Sequence, residues 1–463
     1  MRLTKDAQKL VDEYPNKDKI FSILSTYQKP FITKEDVIQA IKFLSYEKIE
    51  KEEKELEEKY YAENLSHKIE ILDDSDISGK SRSKGTVDDF IAYFNNRFQK
   101  IKTIFLSRGI SDLINSKEIK SNEGKDINII GIVYDIRISS KGNTIIEFED
   151  EFGKGLAIIK KDDLNRLPFV IHDDIILIHG RVFREMILVK DIEFPDIQIY
   201  KDESTIEENF YIAYLSDIHV GSKKFLEKNF KTFIDWLNKS EEGKKVAYLV
   251  IAGDIVDGIG IYPKQENELI IKDIDKQYET FNELAKSIPE WVKIIAIPGN
   301  HDAVRRAEPQ PRLNKKHSLS SIIYVSNPVY VKIHSILHLI YHGTSMDGII
   351  ARIPRLNYED PTLCMQELLK RRHLSPIYGE NLIVPEKKDY LVIDKVPQVF
   401  HTGHLHKNGY MIYRNCLLIN SGTFQERTDY QIQLGHVPTP GIVPIYNPKS
   451  NSLKELNTFA KIN

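Results

Sequence analysis

The sequence predicts an α/β domain preceded by a small β-barrel and a helical amino-terminal unit. Three observations predict it. Five apolar runs in the second half read as buried strands: Tyr211 to Leu215, Val246 to Ala252, Ile294 to Ile297, His338 to Tyr341 and Gln398 to Phe400. About five further short strands follow one another from Ile127, too closely spaced for intervening helices. Ahead of them, apolar residues recur at helical spacing. At 463 residues the chain exceeds one ordinary domain, so two or three are expected.

Residues 1–65 read as a helical amino-terminal domain. Thr33-Lys34-Glu35-Asp36 resembles a capping box, followed by Val37, Ile38, Ile41 and Leu44 on one helical face. From Glu47 to Glu63, mixed Glu and Lys predict a solvated helix. Residues 66–85 are polar, small and poor in apolar side chains, which predicts a flexible linker. Residues 86–120 form a helical connector, capped at Thr86 with Asp89 three residues on. Its stripe of Phe90, Phe94, Phe98, Ile101 and Phe105 suits core or partner packing better than base stacking. In residues 121–200, Ile132, Tyr134, Ile136 and Ile138 alternate, Lys141-Gly142-Asn143 supplies a turn, and strands recur at Ile145 to Phe148, Leu156 to Ile159, Ile175 to Ile178 and Met186 to Val189. Five such strands point to an OB-fold barrel. A barrel of this kind can stack single-stranded DNA, but aromatics are few here and Glu147 to Glu151 is acidic, so a packing role is favoured over stacking. Residues 201–463 make up the α/β domain.

Composition narrows the class. The chain is 41% hydrophobic with a formal net charge of −3, which excludes a generally basic DNA coat and leaves nucleic-acid contacts to local patches. Two cysteines, Cys364 and Cys416, exclude a disulfide framework and a Cys-rich zinc site. No signal peptide opens the sequence and no run reaches membrane-spanning length, so a cytoplasmic setting without membrane contact is expected.

Each apolar run of the α/β domain ends in a polar motif: Asp217-Ile218-His219, Gly253-Asp254, Gly299-Asn300-His301-Asp302, Tyr341-His342-Gly343 and Gly403-His404-Leu405-His406. Side chains at the carboxyl ends of several strands converge on one sheet edge. Asp, Asn and His offer hard oxygens and imidazole nitrogens, suited to manganese, iron, zinc or magnesium. Seven such residues suffice for two metals sharing one carboxylate, the arrangement of a dinuclear hydrolase. Two metals about 3.5–4 Å apart can acidify a bridging water and clamp the oxygens of an in-line phosphoryl displacement.

This order of motifs, over roughly residues 207–445, resembles the calcineurin-like metallophosphoesterases. The resemblance implies two packed sheets flanked by helices. It implies that Asp217, His219, Asp254 and His406 hold one metal, and Asp254, Asn300, His342 and His404 the other. His301 would act on the scissile phosphate as general acid or charge stabiliser, oriented by Asp302. Flanking segments narrow the family: Ala303 to Pro311 with its Pro309-Gln310-Pro311, Tyr341 to Asp347, and Asn420-Ser421-Gly422-Thr423-Phe424-Gln425 are similar to archaeal DNA polymerase D (DNA polymerase II) small subunits. That family implies a metal-dependent 3′→5′ exonuclease acting on single-stranded DNA ends; manganese is the expected metal, since mixed nitrogen and oxygen ligation suits it better than calcium. It also implies a large catalytic polymerase subunit as partner, and a sliding clamp reached through the complex. A structural small subunit with little nuclease activity, or a stand-alone repair nuclease or phosphodiesterase, are the alternatives.

Around the motifs, Arg305 and Arg306 are candidate phosphate contacts, with Lys223 and Lys224 a weaker pair. Asp257 is placed to hydrogen-bond a ligand histidine. His317, His334, His338, His373, His401 and His436 are expected outside the site.

Overall fold

The computed structural model describes residues 2–12, 17–27, 29, 31–42, 62–199 and 206–460. At the amino terminus, β1 (Arg2–Leu3), α1 (Lys5–Asp12), α2 (Lys17–Thr26), β2 (Phe31–Ile32) and α3 (34–42) surround a core of Ala7, Val11, Ile20, Leu24, Ile32, Val37 and Ala40. The start of α3 carries the reciprocal cap read in the sequence. The Asp36 N–H donates to Thr33 Oγ1 at 3.3 Å, and the Thr33 N–H donates to Asp36 Oδ2 at 2.8 Å. The solvated helix expected over Glu47 to Glu63 lies outside the described residues, except for the 3₁₀ turn beginning at Ala62.

The segment expected as a flexible linker, 66–85, is instead built into the body of the protein. Its strand β3 (Ile69–Ile71) runs antiparallel along the edge of a sheet, with Ile71 opposite Val331. Ile77 is buried, and its N–H donates to Ser326 Oγ at 3.3 Å. Farther on, the Arg82 and Ser83 N–H groups donate to Glu386 Oε2 at 3.0 and 3.1 Å, and Ser81 Oγ–H donates to Oε1. A sequence with few apolar residues can still be ordered when a sheet edge and a buried carboxylate satisfy its backbone.

The capping box at Thr86 starts α4 (Val87–Leu106). This helix seats Phe98, Ile101 and Phe105 against Ile130, Ile175, Leu177 and Val392, so the aromatic stripe is largely core. A short β4 (Leu113–Ile114) leads into β5 (Asp126–Ile138), β6 (Thr144–Glu149), β7 (Lys154–Ile159), β8 (Ile175–Phe183) and β9 (Met186–Glu193). They run in the order β5-β6-β7-β9-β8, and β8 returns to pair with β5, which closes the OB-fold barrel. Inside lie Ile127, Ile129, Val133 and Phe148; Tyr134 faces outward, a bulge after Val133 turns Ile136 toward the core, and Ile138 is exposed at the strand's end.

The α/β domain packs two sheets face to face. One contains β10 (Tyr211–Leu215), β11 (Val246–Ala252), β12 (Lys293–Ile297) and β13 (Ile322–Tyr324) in parallel. The other contains β14 (Val329–Ile333), β15 (Ile336–Ile340), β16 (Val399–Thr402), β17 (Gly409–Tyr413) and β18 (Cys416–Asn420), with β3 at its edge. β19 (Ile442–Asn447) and β20 (Ser452–Asn457) extend the first sheet. Alternation along β10 shows how the strands serve two faces. Ile212 and Tyr214 point between the sheets, while Ala213 and Leu215 face α5 (Glu227–Lys239) and α6 (Ile274–Ala285). On the far side, α7 (Met346–Arg352) and α8 (Pro361–Arg371) cover Leu339, Phe400 and Leu418. Both sheets are thus buried on two faces, which explains why the strands read as continuous apolar runs.

His338 and His401 lie in the layer between the sheets, away from the motif residues. Tyr214 Oη is 2.9 Å from His338 Nε2, and His401 Nε2 is 2.9 Å from Ser421 Oγ. Burial pushes His338 down to about 4 and His401 down to about 3. Both are therefore folded in the neutral form. The stability this confers is present above the ordinary histidine range and is lost as pH falls from about 6.5 toward 4, on the order of 3 kcal/mol for each at the acid end. Thermal unfolding followed between pH 7 and pH 4 should show Tm falling by several degrees over that window, and a His338→Gln variant should show a smaller drop. An unchanged slope in the variant would mean that His338 is already protonated inside the fold.

Candidate metal centre

The polar motifs leave the ends of β10, β11, β12, β15 and β16, the strands expected from the sequence, and meet at one edge of the two-sheet sandwich. Getting short side chains from five strand ends to a common point requires unusual backbone. Asp217, His219, Asp254, His404 and His406 all adopt positive φ, between 51° and 69°. For non-glycine residues this conformation costs free energy and persists only where the surroundings impose it; such residues cluster at functional sites. The glycines in the motifs allow close approach. A Cβ on Gly299 would stand 2.2 Å from Asp254 Oδ1, and one on Gly403 would stand 2.6 Å from Asp217 Oδ2.

The buried Asp254 carboxylate is central. Its Oδ2 lies 3.2 Å from His342 Nε2 and 3.9 Å from both His219 Nε2 and His301 Nε2. On one side, His406 Nε2 approaches His219 Nε2 to 3.0 Å and Asp217 Oδ1 to 3.4 Å. On the other, His342 Nε2 is 2.9 Å from Asn300 Oδ1. Asp217, His219 and His406 have ligand atoms close enough to share an ion, as do Asp217, Asp254 and His342, and also His219, Asp254 and His301.

The donor set fits divalent metal. His342 Nδ1–H donates to the Ala252 carbonyl at 2.7 Å, so its Nε2 lone pair faces the oxygens of Asp254 and Asn300. His219 Nδ1 is 3.0 Å from Asp257 Oδ1, and its Nε2 likewise faces the cluster. Asp217 Oδ1 is buried with no hydrogen-bond partner among the described residues. Acceptors converging on one another need positive charge between them. Without an ion, protons supply it: burial works against charging His342, yet Asp254 raises it to about 10. Burial likewise works to raise Asp254, and His342 and His301 hold it well below the usual carboxylate range. A metal takes the place of those protons.

Two expected roles are corrected. Asp302 does not touch the His301 ring. It is buried, accepting from the Gly299 N–H at 2.8 Å and from Tyr278 Oη–H at 2.8 Å, and burial followed by the charge of Asp254 lifts its carboxyl to about 6. It braces the loop from beneath, because neighbouring side chains leave a turn in different directions. His301 is instead oriented by Asp257, whose backbone carbonyl lies 2.7 Å from its Nδ1. Arg305 is no free phosphate contact either. Its Nε–H donates to the Pro309 carbonyl at 2.9 Å and its Nη1 donates to Ser81 Oγ at 2.6 Å, bolting the 81–83 segment to the Pro309 loop. Arg306 stays exposed, its Nη2 donating to the Gly260 carbonyl at 2.6 Å. Lys223 is exposed, with Nζ on the Asn267 carbonyl at 2.9 Å.

Three residues that hold the site's histidines or their supports carried no assigned role from sequence. Asp347 Oδ2 is 2.9 Å from His404 Nε2, which leaves Nδ1 of that ring for an ion. Gln425 donates to Asp257 Oδ1 at 2.9 Å, and Gln431 lies 2.8 Å from His406 Nδ1. Asp347 and Gln425 stand in motifs already selective in the sequence; Gln431 carries no sequence signal beyond its helix cap. Such outer contacts fix ring orientation and tautomer.

Residues 210–408 match the model of the calcineurin-like phosphoesterase family. The chain is 43% identical over 407 residues to the DNA polymerase II small subunit of Methanocaldococcus jannaschii, covering 84% of this chain and 68% of that one. It is 41% identical over 385 residues to the protein of the same name from Archaeoglobus fulgidus, covering 81% and 78%. With that of Methanothermobacter thermautotrophicus it shares 39% identity over 396 residues, covering 81% and 80%. Identity at this level over most of each chain, on an OB-fold barrel joined to a two-sheet phosphoesterase domain, means that the chain belongs to the family of archaeal DNA polymerase II small subunits.

Proposed function

We propose that this chain is the nuclease-bearing small subunit of a two-subunit replicative DNA polymerase, removing nucleotides in the 3′→5′ direction from single-stranded or frayed ends. The observation that supports this most is the buried Asp254 carboxylate with imidazoles on both sides, His342 at 3.2 Å and His219 at 3.9 Å, in a family named for polymerase subunits. In this reading Asp217, His219, Asp254 and His406 hold one divalent ion, and Asp254, Asn300, His342 and His404 hold the other. Two divalent ions there, manganese first and magnesium, iron or zinc as alternatives, supply an acidified water and charge neutralisation at the phosphoryl group.

The protein's own groups do the orienting. Asp257 and the Ala252 carbonyl hold the Nδ1–H groups of His219 and His342, so both rings present Nε2. The Asp257 carbonyl holds His301 Nδ1–H, so any proton His301 gives the leaving oxygen departs from Nε2. Arg306, exposed beside the site, is the candidate contact to a neighbouring phosphate. The partner is a large catalytic polymerase subunit, with a sliding clamp reached through the complex.

A 5′-labelled single-stranded oligonucleotide, given the full chain and manganese, should shorten by single nucleotides from its 3′ end; the large subunit should co-purify. Absence of shortening with any of the four metals, alone or in the complex, would leave the structural-subunit reading. Metal titration should find two ions per chain. Asp254→Asn should weaken both and His219→Ala mainly one, because Asp254 lies between His342 on one side and His219 on the other; a single ion in the parent protein would overturn the dinuclear assignment.

A further inference from the structure

Beside the metal cluster, two aromatic rings stand outside every hydrophobic core of the described residues. Tyr262, on the loop after β11, and Tyr430, on α9 (Asp429–Leu434), stack with ring centroids 5.1 Å apart at 19°. The Tyr262 ring is in turn 6.3 Å from that of His301. Tyr430 is 44% exposed. Both rings are fixed to the centre by their neighbours. Gln431, next to Tyr430, reaches His406 Nδ1 at 2.8 Å while it accepts the Thr428 N–H at 3.1 Å in the helix cap. Gln265, three residues after Tyr262, donates to the Asp257 carbonyl at 2.7 Å, and the Tyr262 hydroxyl donates to Glu268 at 3.2 Å.

A prepositioned ring pair with no core to fill, half-buried at Tyr262 and exposed at Tyr430, needs another reason to be there. We propose that Tyr430, backed by Tyr262, is a stacking platform for the unpaired nucleobase of the strand end whose phosphate lies at His301. The inference rests on the nuclease reading above and deepens it by assigning what recognises the substrate. Stacking on an aromatic face suits any base and needs no sequence. Charge supports a base over a phosphate: Glu268, bonded to the Tyr262 hydroxyl, and Asp429, the residue before Tyr430 in α9, disfavour phosphate, whereas exposed Arg306 bonds the Gly260 carbonyl on the same loop as Tyr262. A base paired in a duplex has its faces occupied by its neighbours, so the platform would favour frayed ends.

The test compares two labelled single strands, identical except that one ends 3′ in an ordinary nucleotide and the other in an abasic one. Anisotropy with the full chain in chelator reads binding, and KM in manganese reads use. The parent should prefer the base-ended strand by roughly 5- to 100-fold, the worth of one base–aromatic stack. In Tyr430→Ala the ratio should fall toward one, in Tyr430→Phe it should be retained, and in Tyr430→Trp it should be retained or rise. A parent ratio near one, or a ratio that survives both Tyr430→Ala and Tyr262→Ala, overturns the platform. A parent that keeps the binding preference but releases no nucleotide with any divalent metal overturns the nuclease reading and leaves the platform standing.

Discussion

His301→Ala is expected to slow nucleotide release by about 10²–10⁴-fold, the usual contribution of a general acid or base, with metal affinity close to that of the parent. The structure explains why the two effects should separate. What His301 gives to Asp254 is its backbone N–H, which donates to Oδ1 at 2.8 Å and survives the substitution. The ring itself stands 3.9 Å from Asp254 Oδ2, is 14% exposed, and offers Nε2 to whatever enters the site. Burial, then the nearby His219 charge, lowers the pKa of this ring, with Asp254 opposing. A lowered value favours the neutral ring, so proton donation from Nε2 should weaken as pH rises through the histidine range, and the alanine variant should lose that limb of the pH profile. Single-turnover rates and metal titration on the same preparation check both claims. A variant with parental rates would remove His301 from the chemistry.

The candidate site was legible because each of its residues sits in a short local motif at the end of an apolar run. Buried strands betray themselves by continuous apolarity, and polar residues just past them have one edge of a sheet to occupy. The five barrel strands were legible for the same reason of length and spacing. What the sequence did not show is direction. Asp302 follows His301 in the chain but turns beneath the loop to Tyr278, and Arg305 turns toward Pro309 and Ser81, because a turn sends successive side chains to different sides. Partners far apart in sequence were equally hidden. Asp347 meets His404 across 57 residues and Gln425 meets Asp257 across 168, contacts that exist only once the two sheets have packed. The apolar alternation in β5 marked the strand but not its bulge: after Val133 the inward face passes from odd to even positions, so Ile136 reaches the core while Tyr134 stays outside.

The segment before Gly85 gives the largest stability effect. A chain beginning at residue 62 should fold with near-parental stability in its barrel and phosphoesterase domains, whereas one beginning at residue 86 should be severely destabilised. Removing 62–85 deletes the edge strand β3 and the buried Ile77 side chain. Burial of Ile69, Ile71 and Ile77 is worth roughly 1.5–3 kcal/mol for each fully covered side chain, and less for the two strand residues, which are half-buried. Glu386, 4% exposed, would lose donors from Ser81, Arg82 and Ser83 and keep the Arg305 guanidinium at 3.7 Å. Unmet hydrogen bonding of that kind costs about 1–3 kcal/mol, and more for a charged group. Together these losses approach the whole of a typical domain's 5–15 kcal/mol. The damage should also reach the metals. Arg305 loses its bond to Ser81, and Arg305 lies four residues past His301 in the loop that carries Asn300. Urea unfolding of the two truncations, with metal titration of each, reads both effects. Equal midpoints and equal metal affinity would show that residues 62–85 only lie against the surface without supporting it.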